Sequence, residues 1–198
     1  MSHKRIRESG FTLLECMVVI AIMGILTAMA IVGTTGSIQN YRANAALDTV
    51  SSQLRVALQI SISQRRWVQI TVDTVGNTIS YQVLPPVGVG VTELAGPIVT
   101  VPLPQKTSFV LETGVPDTPM GFGNNNAVYI ANLSGGPVGM NFTPTGAFTD
   151  STHTNPISGT IFVGIANQPA TARAVTILGS TGRIRPYTYI GAAAGWHE

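Results

Sequence analysis

A chain of 198 residues with only 10% charged suits one globular domain plus an additional element. Its 21 glycines and 12 prolines favour a loop-rich, β-rich body over a helical bundle. The net charge of +2 lies entirely in the first ten residues, where Lys4, Arg5 and Arg7 outnumber Glu8; the remainder carries eight charges of each sign, so the basic balance implies no acidic partner. The mean hydropathy of +0.30 is high for a soluble protein and points to a membrane segment. Cys16 is the single cysteine, so no intramolecular disulfide or Cys-ligated metal site is expected.

The first element runs from Phe11 to Gly33, FTLLECMVVIAIMGILTAMAIVG. As a helix these 23 residues span roughly 34 Å, enough for a bilayer core. The cations ahead of them place the N-terminus in the cytoplasm. Ala28-Met29-Ala30 has the form of a secretory cleavage site, but the apolar run exceeds the roughly 7–15 residues of a signal-peptide core. Glu15 fits neither a plain anchor nor a signal peptide. A carboxylate at the centre of a membrane helix costs about 2.5–3.5 kcal/mol on insertion scales and calls for a partner. Cleavage after Gly10 would create a free amine on Phe11, one helical turn from Glu15, available in the same chain or a neighbouring one.

The stretch GFTLLECMVVIAIMGIL, with Gly10, Phe11, Thr12, two leucines and Glu15 behind a short basic leader, resembles the class III signal and transmembrane segment of type IV pilins and pseudopilins. The resemblance implies cleavage between Gly10 and Phe11 by a prepilin peptidase, N-methylation of Phe11, and pairing of Glu15 with that amine during subunit assembly. Many pilins carry a proline where this chain has Val32. Gly33 and Gly36 lie just beyond it and weaken a helix by about 1 kcal/mol each, so both a local break and a continuous helix are open there.

From Ser37 to about Gln64 the pattern becomes amphipathic. Ile38, Tyr41, Ala45, Leu47, Val50, Leu54, Ala57, Leu58 and Ser61 form the expected packed face, with Arg42, Asn44, Asp48, Ser52, Arg55 and Gln59 on the surface. Arg65-Arg66 ends the helix where the dipole is negative. The period then falls to two: Trp67–Val72 and Thr78–Val83 flank a Gly76-Asn77 turn and form an expected hairpin. Further strands are expected at Ile98–Leu103, Ser108–Leu111, Ala127–Ala131, Thr160–Ala166, Ala172–Leu178 and Arg183–Ile190, with Gly121–Asn126 as a turn or loop, Met140–Phe142 leading into a Thr143–Gly146 turn, and Gly179–Gly182 turning the chain into the last strand.

Phe142, Pro144 and Gly146, then a strand bearing Arg173, then Gly182-Arg183-Ile184-Arg185 resemble the H-type (GspH/FimT-like) branch of minor pseudopilins and minor pilins. That resemblance implies an α+β fold: a long N-terminal transmembrane and amphipathic helix packed on a C-terminal antiparallel β-sandwich. The expected organisation is a leader over 1–10, a transmembrane and assembly helix over 11–33, an amphipathic helix over 34–64 and a β-rich domain over 65–198. The implied role is a minor pseudopilin of type II secretion, anchored in the inner membrane with its body in the periplasm. Its partners would be the prepilin peptidase and, through the N-terminal helix, other pilins or pseudopilins.

A catalytic or cofactor role finds no support in the residue pattern. His3, His153 and His197 stand apart from one another, Asp150, Ser151 and His153 share a polar loop, and Gly88-Val89-Gly90 lacks the context of a phosphate loop. No cofactor and no metal are expected, and the chain reads as a subunit rather than an enzyme. The remaining polar feature is Arg183 and Arg185, which a strand places on one face about 6–7 Å apart, comparable to phosphate spacing. FimT-like pilins of competence systems carry such a GRxR element, so the resemblance admits DNA contact as an alternative; charged residues that protect a sheet edge are the other reading.

Overall fold

The computed structural model describes residues 12–85, 95–117, 119, 126–130, 138–150 and 155–198, with the side-chain surroundings of 30–35, 129–130 and 138–139 excepted. The expected Gly88–Gly90 loop, most of the Gly121–Asn126 loop, and Ser151 and His153 lie outside these residues. The chain divides into two units, Met1–Ile38 and Gln39–Glu198.

One helix, α1 (Leu13–Gln64), contributes to both units, and its backbone is helical through Gly33 and Gly36. In the second unit it is followed by β1 (Val68–Asp73), β2 (Thr78–Val83), β3 (Val99–Pro102), β4 (Val128–Ile130), β5 (Val138–Phe142), β6 (Phe148–Thr149), β7 (Gly159–Val163), β8 (Arg173–Leu178), β9 (Arg183–Gly191) and β10 (Gly195–His197). These form two five-stranded sheets, in the orders β3-β2-β1-β5-β6 and β10-β9-β8-β7-β4. Among the described residues every pairing is antiparallel. The expected α+β architecture, a long N-terminal helix with antiparallel sheets, is observed.

The buried face of α1 is Ala43, Ala46, Leu47, Val50, Ser51, Leu54, Ala57 and Ser61. Spacings of three and four keep these residues on one stripe. Ala46, Leu47, Val50, Leu54 and Ala57 share one core with Val68, Ile70, Met140, Phe142 and Phe148 of the first sheet and Ile161, Val163, Val175 and Ile177 of the second. Phe142 and Phe148 meet at 5.2 Å between ring centroids, tilted by 55°. Two residues of the expected packed face are instead exposed, Tyr41 at 75% and Ile38 at 48%. Alanines and serines take their place because small side chains let the helix backbone approach the sheets closely.

The helix ends by a Schellman motif. Arg66 N–H donates to Ser61 O at 3.1 Å and Arg65 N–H to Ile62 O at 3.4 Å, with Arg65 in the left-handed region at φ 53°. The hairpin loop spans four residues rather than two. Asp73 Oδ1 accepts the N–H groups of Val75 at 2.9 Å and Gly76 at 3.0 Å, and Asn77 adopts φ 50°. These two backbone bonds hold the Asp73 carboxyl below its ordinary pKa.

The strand expected at Ser108–Leu111 is reduced to a single bridge, Ser108 with Gly164. The next amide, Phe109 N–H, donates to the Asn77 side chain at 3.1 Å instead of continuing a ladder. The second sheet is covered on both faces. Its outer side carries Phe162, Ala174, Tyr187 and Tyr189 beneath Trp196 and Leu111. Trp196 lies 5.9 Å from Phe162 and 5.5 Å from Tyr189 between ring centroids, and its Nε1–H donates to Pro116 O at 2.8 Å.

Candidate functional site

The first turn of α1 has a physical logic that the sequence motif conceals. Thr12 Oγ1 accepts the Glu15 N–H at 3.2 Å, and Thr12 O accepts the Cys16 N–H at 3.2 Å. Thr12 is therefore the N-cap and Glu15 the third helical residue, the spacing of a capping box. Glu15 is exposed and its charge sits at the positive end of the helix dipole. Gly10 and Phe11, the expected processing residues, lie outside the described residues.

Beyond this turn the side chains are apolar on every side. Leu13, Ile20, Met23, Ile25, Leu26 and Met29 are all 60% exposed or more. A helix apolar all round requires lipid or packed neighbours. Among the described residues no helix is long and apolar enough to cross a membrane. The Phe11–Gly33 run assigned to the membrane from sequence extends at both ends past the side chains described.

Two parts of the C-terminal pattern meet at one junction between α1 and the sheets. Thr143–Gly146 forms a turn in which Gly146 N–H donates to Thr143 O at 2.9 Å and Ala147 N–H to Thr143 Oγ1 at 2.9 Å. Gly146 adopts φ 87° and Gly182 φ 61°. A Cβ on Gly182 would collide with the carbonyl oxygen of Gly146, and would lie 3.1 Å from Leu58 Cδ1 and 3.3 Å from Phe142 Cε1. Phe142, Gly146 and Gly182 therefore meet in one place, where two turns press on each other over the last turns of the helix.

Arg173, the third part of the pattern, is 4% exposed. Its Nε–H donates to Asn44 Oδ1 at 2.8 Å, Nη1 to Ala172 O at 2.9 Å and Ala170 O at 3.2 Å, and Nη2 to Asn40 Oδ1 at 3.3 Å. The side chain staples β8 to α1. Its burial pulls the guanidinium pKa below the ordinary value. Asn44, assigned to free surface from the helical period, is thus a partner of a strand 129 positions away in sequence.

Arg183 and Arg185 lie in β9 opposite Leu178 and Thr176 of β8. Arg183 is exposed, whereas Arg185 is partly buried and its Nη1 pairs with Glu198 Oε2 at 3.0 Å. Sequence reading missed Glu198 and Trp196, because β10 is three residues long and too short to show alternation.

Residues 5–31 match the family model of the prokaryotic N-terminal methylation motif. No match is found among curated protein sequences. Among solved structures, the minor pseudopilin EpsH from the type 2 secretion system of Vibrio cholerae aligns at 10% identity and a TM-score of 0.44, covering 74% of this chain and 97% of that one. The type IV minor pilin FimU of Pseudomonas aeruginosa aligns at 15% identity and a TM-score of 0.46, covering 83% and 96%. A second crystal form of FimU gives 14% identity, a TM-score of 0.43, and coverage of 78% and 97%. Residues 5–31 thus carry the prokaryotic N-terminal methylation motif, ahead of an α+β body.

Proposed function

We propose that this chain is a minor subunit of a type IV pilin-like filament, of the pseudopilus kind that serves type II secretion. In this reading the N-terminus is cytoplasmic, the helix beginning at Phe11 anchors the chain in the inner membrane, and the β-rich body lies in the periplasm. A prepilin peptidase cleaves between Gly10 and Phe11 and methylates the new amine. Glu15 engages that amine as the subunit joins its neighbours, and the role is mechanical rather than catalytic.

The observation that carries this reading is the coincidence of the methylation motif with the geometry of the first helical turn. Thr12 caps the helix and leaves the Glu15 carboxylate on its surface, among apolar side chains that need partners. An unpaired carboxylate in such surroundings costs several kcal/mol, and pairing with an amine offsets it. Replacing Glu15 by Ala should leave membrane insertion and processing intact while reducing filament incorporation about tenfold or more, which corresponds to at least about 1.4 kcal/mol. Incorporation equal to wild type, measured in sheared filament fractions, would refute the pairing.

A DNA-uptake pilin using Arg183 and Arg185 is the second reading. It has less support, because Arg185 already holds Glu198 and the chain beyond residue 10 carries equal numbers of both charges.

A further inference from the structure

We propose that Arg173 is the floor of a carboxylate-binding site, and that its occupant is an acidic side chain of a neighbouring protein chain. The source of the carboxylate rests on the filament reading; the site itself does not.

A guanidinium carries five N–H donors. Four of those of Arg173 are taken by Asn44, Ala172, Ala170 and Asn40, and every acceptor is a neutral oxygen. The fifth donor, on Nη2, lies beside Asn40. Among the described residues no carboxylate pairs with Arg173. A cation 4% exposed and surrounded by neutral acceptors keeps most of its attraction for an anion, because little water is present to screen it.

The cation is not sealed in. It lines a cleft of about 500 Å³ whose other walls include Asn40, Pro169, Ala170, Thr188 and Ile190. Thr188 adds a hydroxyl-bearing side chain to the lining. Ile190, 62% exposed, and Pro169 form an apolar rim that fits the methylene groups of a glutamate or aspartate. A carboxylate entering the cleft would gain a charge-assisted bond from Nη2 while its stem covers apolar surface. The cleft is built by Asn40 of α1, the Pro169–Thr171 turn and the end of β9, so one docked acid would touch three elements at once.

The test uses the full chain in detergent micelles, labelled with 15N, and N-acetyl-Ala-Glu-Ala-amide as probe. The amides of Ala170, Ile190 and Gly191 and the Nε–H of Arg173 should shift saturably, with a dissociation constant on the order of 1–10 mM. The Gln counterpart of the peptide should bind at least about tenfold more weakly. Asn40→Asp supplies a carboxylate beside Nη2 in the same chain. It should raise the melting temperature and weaken the peptide about tenfold or more, without the folding risk of removing Arg173. Equal shifts with the Glu and Gln peptides, no shift at about 100 mM, or unchanged affinity in Asn40→Asp would overturn the site. Acetate or inorganic phosphate binding as tightly as the peptide would overturn the assignment to a protein side chain. These signals come from single chains, so their failure is distinguishable from a failure of filament assembly.

Discussion

Replacing Gly182 by Ala perturbs the junction where the two turns of the C-terminal pattern meet. At φ 61° an L side chain adds about 1–2 kcal/mol of backbone strain. The new methyl group would also meet the Gly146 carbonyl, which is backbone and cannot rotate away, together with Leu58 and Phe142. Overpacking of this kind costs about 1–3 kcal/mol, so the total is about 2–5 kcal/mol. For a unit of this size that corresponds to a fall in melting temperature of about 10 °C. Gly114→Ala isolates the first contribution, since Gly114 has φ 82° and nothing within 4 Å of its would-be Cβ. It should lose only about 4 °C. Both tryptophans and all five tyrosines lie beyond Ile38, so near-ultraviolet circular dichroism of the full chain in detergent follows the β-rich unit without interference from the N-terminal apolar helix. Equal losses for the two variants would refute the steric argument.

Two further expectations follow from local backbone geometry. Arg65 occupies the left-handed position of the Schellman motif that glycine fills at least cost, so Arg65→Gly should stabilise the body by about 0.5–1 kcal/mol, read as a higher urea midpoint at unchanged slope. A destabilised variant would mean that the Arg65 side chain contributes more than its backbone strain costs. The Asp73 carboxyl is held below its ordinary value of 3.8 by the amides of Gly76 and Val75. A depressed carboxyl stabilises the folded state above the unfolded pKa, and this contribution is lost as the pH falls from there through the folded value. Asp73→Asn keeps an acceptor oxygen without the charge, so its stability should fall less steeply than wild type below about pH 4. Parallel acid limbs in urea titrations would contradict the assignment.

The legible parts of this fold are those encoded by neighbours in sequence. Thr12 and Glu15 lie three residues apart and cap the helix within one turn. The β1–β2 hairpin is written in two alternating runs around a short loop, and the β8–β9 pair around Gly179–Gly182. What escaped reading depends on residues brought together from far apart. Asn44 has the period of a surface residue, and only the arrival of Arg173 gives it a partner. Ser108–Leu111 has strand composition, but the Asn77 side chain captures the amide that would extend the ladder. Gly182 reads as an ordinary turn residue until Gly146 is placed against it. Ala57 was legible from the helical period, but Ala43 and Ala46 were not, because hydrophobic periodicity weights large residues, whereas close approach to a sheet selects small ones.

That stripe of small residues also governs how the body would respond to load. Leu47, Val50 and Leu54 project into the core from successive turns of α1, and Ala43, Ala46 and Ala57 on either side of them hold the helix close to the strands. A pull directed along residues 39–64 would act on all these contacts in parallel, as shear, rather than peeling them one after another. Near the start of this stretch the Asn40 and Asn44 bonds to Arg173 join the helix to a strand covered on both faces. Traction on the helix would therefore pass into a buried strand in the interior of the second sheet, and slippage would require the whole apolar stripe to move by a turn at once.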